Sequence, residues 1–196
     1  MLELFWCCVG RGKEDEKFVE ESLYELSTLL RKPPVERELV IRALDEKSQS
    51  TVERWSENPV IGEGGATFSE ACRFLNESIL EKWQPLFIYC QPDSRLAARI
   101  RGAEPGAIWG HSQGFISVVY KRSNKFILWH EALHLFRVAD CNLGRRNPGP
   151  TCRKKNCLMQ YAPTAETVGS WPFLCKKARD QLRRCGEKRQ LNAKSK

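Results

Sequence analysis

Residues 129–141 read WHEALHLFRVADC, and this stretch constrains the fold more than any other. Two histidines four positions apart share one face of a helix, so His130 and His134 can aim imidazole nitrogens at a common point while Glu131 stands beside it. Leu128, Ala132 and Leu135 fall on the opposite side and supply a stripe for the core. The spacing suits zinc. An ion held by three protein side chains keeps its fourth position for water and makes that water more acidic, and an adjacent carboxylate can take the proton and pass it to a leaving amine. Two of the chain's three histidines fall in this frame. The plainer reading is an amphipathic helix with two hydrogen-bonded histidines.

A third ligand must come from outside the helix. Asp140 is too far from His134 to share its face unless the chain turns between them. A left-handed turn between them would cost roughly 1–2 kcal/mol at a residue other than glycine. If the helix instead continued, Arg137 would come within reach of Asp140 three residues on and pair with it.

The surroundings read as alternating strands and helices. Leu2–Cys8 is an apolar strand, Glu14–Leu30 a helix with its face on Phe18, Leu23, Leu26, Leu29 and Leu30, and Glu38–Leu44 a second strand. Phe68–Trp83 has helical spacing, and Leu86–Cys90 is a short buried strand. Two β-forming runs flank His111–Gly114, read as a hairpin turn that leaves His111 exposed, and Ser123 or Asn124 caps the histidine-bearing helix. Beyond Asp140 comes a Gly/Pro/basic stretch without periodicity, then a helix around Trp171–Cys185. No internal repeat is visible, and residues 187–196 are expected to be disordered.

At 196 residues the chain can bury a substantial core, and one domain is expected. The opening MLELFWCCVGRGKEDEK has neither a basic lead nor an apolar run of signal-peptide length, so a non-secreted, cytoplasmic protein without a membrane span is expected. Nine cysteines, an odd number, then argue for thiols or metal ligands rather than a disulfide framework. Cys7, Cys8, Cys72 and Cys90 lie in expected elements and read as core. The net charge of +8 gathers towards the C-terminus, but no nucleic-acid motif accompanies it, so nucleic acid is not the expected partner.

Three stretches together resemble the archaemetzincins, a branch of the metzincin clan: IWGHSQGFISVVY, HEALHLFRVAD, and NCLMQYAPTAETVGSWPFLC. The similarity is specific from about Gly106 to Leu182 and looser elsewhere. It implies an α/β (α+β) fold: a metzincin-like mixed sheet with a catalytic helix (1–135), a cleft, and a small irregular C-terminal subdomain with a terminal helix (136–186). An edge strand near Ala107–Gly110 would pair with an extended peptide.

The resemblance also implies roles. His130, His134 and Asp140 would hold a catalytic zinc, with Asp140 in the third-ligand place and Arg137 where the clan has glycine. Glu131 would be the general base. Cys157-Leu158-Met159 would form the Met-turn, with Met159 packing beneath the imidazoles and Tyr161 able to approach the zinc or a tetrahedral intermediate. The family's second, structural zinc is bound by four cysteines. Cys141, Cys157 and Cys175 match three of those places, and Ala178 stands at the fourth. An insertion near Asn142–Thr151 ends in Cys152, so Cys141, Cys152, Cys157 and Cys175 could form a rearranged site, with Cys185 in reserve and buried thiols as the plainer alternative.

The implied function is that of a zinc metallopeptidase acting on a peptide or protein. The alternatives are a catalytically inactive metzincin-like zinc-binding protein that serves as a binding module for acidic partners, and a basic module that retains a metalloprotease shell. Oligomeric state and cleavage preference are not legible in the sequence.

Overall fold

The computed structural model describes residues 1–10, 13–57, 75, 84–103, 110–120, 124–141, 157–159, 168 and 173–194, with residues 13 and 186–194 described through their main chain. Strand β1 (Leu2–Val9) is the pivot of the fold. Leu2, Leu4, Trp6 and Cys8 belong to one buried cluster and Cys7 and Val9 to another. A strand with apolar side chains on both faces needs cover on both, which its LELFWCCV composition provides for.

Helix α1 (Lys13–Leu30) and strand β2 (Leu39–Ala43) follow, then α2 (Glu46–Glu57), β3 (Leu86–Cys90), α3 (Arg95–Ala103), the hairpin β4 (Gly110–Gln113) and β5 (Ile116–Val119), α4 (Lys125–His134) and α5 (Lys176–Lys194). The sheet order is β2-β1-β3-β5-β4, parallel throughout except for β4, which runs antiparallel to β5 at the edge. Mixed sheet and helices together make the α/β class expected from the sequence.

Two layers of helix cover the sheet. Val19, Leu23, Leu26 and Leu30 of α1 and Ile127 to Leu133 of α4 join the cluster containing Leu2, Phe87, Tyr89 and Val119. Val52 of α2 and Leu96, Ala97 and Ile100 of α3 join the cluster on the other face, with Leu86, Ile88, Ile116 and Val118. Burying each large aliphatic side chain stabilises by roughly 1.5–3 kcal/mol. Cys141, the Cys157–Met159 segment, Phe173, Leu174 and Leu182 extend the first cluster, so the C-terminal region packs against the α1/α4 side. Cys7, Cys8 and Cys90 are buried, as expected.

Several expectations need correction. Helices α2 and α3 were not anticipated: α2 fully buries only Val52, and α3 has nine residues, so neither carries a long apolar stripe. Asp45 caps α2 by accepting from Ser48 N (2.8 Å), and Ser94 caps α3 by accepting from Ala97 N (3.2 Å). The hairpin turn lies at Gly114-Phe115, not His111–Gly114. Gly114 takes φ +61 while Phe115 does not, the II′ pattern of a two-residue loop. His111 is therefore a half-buried strand residue rather than an exposed turn residue.

The terminal helix begins later than expected and runs to Lys194, into residues read as disordered. Its run of Lys, Arg, Glu, Gln, Leu and Ala consists mostly of strong helix formers. The helix expected over Phe68–Trp83 falls outside the described residues except for Leu75, which is helical and buried. Residues 107–109 of the expected edge strand and Cys72 also fall outside them. Among the described residues no helix is long and apolar enough to cross a membrane.

Candidate metal centre

Helix α4 is held on every side. Asn124 caps it by accepting from Phe126 N (3.0 Å), and Ile127, Leu128, Trp129, His130, Ala132 and Leu133 are all buried. It is an interior helix rather than the one-sided amphipathic helix its stripe suggested. Trp129 fixes its rotation: Nε1 donates to Ser22 O of α1 (2.7 Å), and the ring stacks on Phe173 with centroids 5.3 Å apart. His130, the next residue, is positioned by this anchor.

The helix stops in time for the chain to turn back towards the histidines. Arg137 adopts φ 62, its N–H donates to His134 O (2.8 Å), and Val138 N–H donates to Leu133 O (3.3 Å). These two bonds are those of a Schellman motif, in which the left-handed residue is usually glycine. Leu133 and Val138, the apolar pair such a motif brings together, are both buried. Arg137 is exposed, and the chain beyond it returns Asp140 to the helix face. Asp140 faces the histidines rather than pairing with Arg137.

His130 Nε2 and His134 Nε2 are 3.0 Å apart, and Asp140 Oδ1 lies 3.1 and 3.4 Å from them. His130 Nδ1 is 2.9 Å from Leu158 O and His134 Nδ1 is 2.7 Å from Val138 O. A carbonyl only accepts, so each Nδ1 carries hydrogen and each Nε2 of a neutral ring presents a lone pair. Three electron-pair donors thus converge, and Asp140 Oδ1 is buried without a hydrogen-bond donor. Such a trio calls for a proton or a cation among its members.

The spacing admits a cation of zinc's size. Tetrahedral bonds of about 2.0–2.1 Å put neighbouring ligand atoms about 3.3–3.4 Å apart. The separations here are 3.0, 3.1 and 3.4 Å, so a shift of a few tenths of an ångström would accommodate it. Without a cation, a proton on the imidazole pair meets the same need. Burial pushes the Asp140 carboxyl up, but the two facing imidazoles outweigh it and hold the group well below the ordinary carboxylate range. Burial lowers His134, and Asp140 with Glu131 more than offsets it, so the imidazole ends above its usual value.

Glu131 is gripped by strand β4. Its carboxylate accepts from Ser112 Oγ, which also lies 2.9 Å from Ser117 Oγ of β5 and 3.3 Å from the Glu131 main-chain oxygen. Neither serine stood out in the sequence. The available signal was a serine on each arm of the hairpin, hidden because the polar stretch His111–Gly114 reads as a turn.

A second cluster adjoins the first. Cys141 Sγ lies 3.7 Å from Cys157 Sγ and 3.4 Å from Cys175 Sγ, and all three sulfurs fall within 4.8 Å of one another. Zinc–sulfur bonds of about 2.3 Å would put tetrahedral neighbours about 3.8 Å apart. Cys175 N–H points to Cys157 Sγ (3.4 Å) and Ala178 N–H to Cys175 Sγ (3.5 Å). The Cys141 thiol, opposed by burial and helped by the N–H groups of Cys175 and Met159, pulls Cys157 below the ordinary thiol range. The same coupling pushes Cys141 up.

The expected site residues therefore gather into two groups, His130, His134 and Asp140 with Glu131 alongside, and Cys141, Cys157 and Cys175. Cys185, half-buried, lies against the core but outside the thiol group. Met159 is buried, and its carbonyl accepts from Cys141 N–H (2.8 Å). Cys152 and Tyr161 fall outside the described residues.

No protein-family model and no curated protein matches the chain. Among solved structures it is similar to the 1.5 Å crystal structure of archaemetzincin from Methanopyrus kandleri, with a TM-score of 0.50 and 12% identity over 95% of this chain and 96% of that one. At this identity the likeness shows a shared fold and nothing finer.

Proposed function

We propose that the protein is a zinc-dependent metallopeptidase whose metal is held by His130, His134 and Asp140. The observation that carries this reading is the convergence of both Nε2 lone pairs and a buried carboxylate oxygen on one point, with both Nδ1 atoms already engaged by main-chain carbonyls. When bound there, zinc supplies a Lewis acid that acidifies water and polarises a carbonyl.

The chain's own residues supply the rest. Glu131 takes a proton from the attacking water and returns it to the leaving nitrogen. The carbonyls of Leu158 and Val138 keep the imidazoles in the ligating tautomer. Strand β4, at the edge of the sheet beside α4, offers main-chain groups to an extended peptide or protein substrate. Met159 would pack as part of the floor below the histidines, and Tyr161 would contribute a phenol that stabilises the transition state. Cys141, Cys157 and Cys175, completed by Cys152, hold a second zinc that ties the C-terminal segment together.

The test is zinc content and hydrolysis of a broad peptide library. Wild-type protein is expected to bind zinc and cleave peptides, chelation to abolish cleavage, and Glu131→Gln to keep zinc while losing about 10²–10⁴-fold in rate. Zinc bound with no turnover on any peptide refutes the enzyme reading in favour of a binding module.

A further inference from the structure

Serine is an odd choice where the hairpin meets α4. Register pairs Ser112 of β4 with Ser117 of β5. Ser117 lies between Ile116 and Val118, which belong to the far cluster, and so shares the α4 side of the sheet with Val119. It is fully buried in a strand whose other residues are apolar. A buried hydroxyl is costly unless hydrogen-bonded, and an apolar pair would fill this cross-strand position without that cost.

The partner that explains the pair is Glu131. A carboxylate only accepts, so the Ser112 proton is directed to Glu131, leaving the Ser117 hydroxyl to donate in turn to Ser112 Oγ at 2.9 Å. The relay begins in the core and ends on Oε2, so one carboxylate oxygen is tied to the sheet while Oε1 has no hydrogen-bond partner among the described residues. Because Ser112 also sits 3.3 Å from the Glu131 main-chain oxygen, it fixes the side chain relative to the helix turn that bears it. A general base works only when its free oxygen is held within reach of the proton it takes.

We infer that Ser112, backed by Ser117, is a positioning residue that orients the Glu131 carboxylate for proton transfer, an inference that rests on the peptidase reading above. It places part of the catalytic apparatus on the same edge strand that would receive the substrate.

Two measurements on zinc-loaded full-length protein test it. The first is peptide hydrolysis. Ser112→Ala is expected to lower kcat about tenfold with KM within about twofold, and Ser112→Thr, which keeps the hydroxyl, to restore kcat to within about threefold. The second needs no turnover: acetohydroxamate gives up its acidic proton to a nearby carboxylate when it binds zinc, so its affinity reports the aim of Glu131. Its Kd is expected to rise about fivefold in Ser112→Ala and to recover in Ser112→Thr.

Zinc content and Tm of each variant are recorded alongside, and Ser112→Cys, similar in size but a weak donor, repeats both measurements if the alanine variant loses zinc. An unchanged hydroxamate affinity, or a kcat within twofold of wild type, overturns the inference. Absence of hydrolysis by the wild-type protein together with the fivefold hydroxamate shift would instead overturn the peptidase reading and leave the role of Ser112 standing.

Discussion

Replacing Arg137 with glycine should make the protein more stable without weakening its metal site. Arg137 sits at φ 62 in the left-handed position of the α4 terminus and is exposed, so its side chain offers little to offset the backbone strain. A non-glycine residue there costs roughly 1–2 kcal/mol. Glycine removes that cost but loses about 0.4–1 kcal/mol through its larger freedom in the unfolded chain. The balance is a gain of about 0.5–1 kcal/mol, or about 1–4 °C in Tm for a chain of this length. Thermal unfolding should be followed at fixed excess zinc, because bound ligand raises Tm in its own right. Arg137→Val should move the other way by more than the glycine gain, since a β-branched residue fits this backbone worst. A glycine variant that melts lower than wild type, or binds less zinc, would refute the reasoning and mean that the guanidinium contributes something the strain argument omits.

Other outcomes follow from the same geometry. Asp140→Asn and His134→Ala should each remove one zinc per chain while leaving the second, as read by metal analysis after gel filtration. Cys152→Ser should lower zinc content by one and Cys185→Ser should leave it unchanged; equal content in both would exclude Cys152 as the fourth sulfur ligand. In metal-free protein the raised His134 contributes stability that is fully present below its unfolded pKa of about 6.5 and is lost as pH rises through its higher folded value. The depressed Asp140 contributes above about 3.9 and loses its contribution as pH falls through its folded value. Metal-free protein should therefore melt lower at pH 9 than at pH 6, and added zinc should reverse that order, which denaturation at the two pH values would check.

The histidine-bearing helix was legible because its signal is local. His130 and His134 needed only a helix, and Asn124 supplied a cap one residue before it began. The central strands were legible for a similar reason: Leu2–Val9 and Leu86–Cys90 are apolar runs too short for anything else. What the sequence hid depends on partners distant in the chain. Strand β4 is polar because its outer side needs no apolar cover, so its residues His111–Gln113 read as part of a turn and Ser112 carries no signal of its own. Helix α2 leans on the sheet through Val52 and half-buried Trp55, too little to set up a period. The carbonyls that orient the imidazoles belong to Leu158 and Val138, whose side chains say nothing of the role. Arg137 was the clearest conflict between local preference and observed geometry. It was resolved in favour of the turn, where the pull of the buried clusters on either side outweighs a kilocalorie or two of strain.

Asp140 and Cys141 are consecutive residues, one ending in the imidazole pair and the other in the sulfur trio. A single peptide unit is thus a lever arm shared by two anchorages. Slackening the sulfur anchorage would swing the carboxylate away from the rings, so a reagent that attacks only thiols should disarm the protein without touching a histidine.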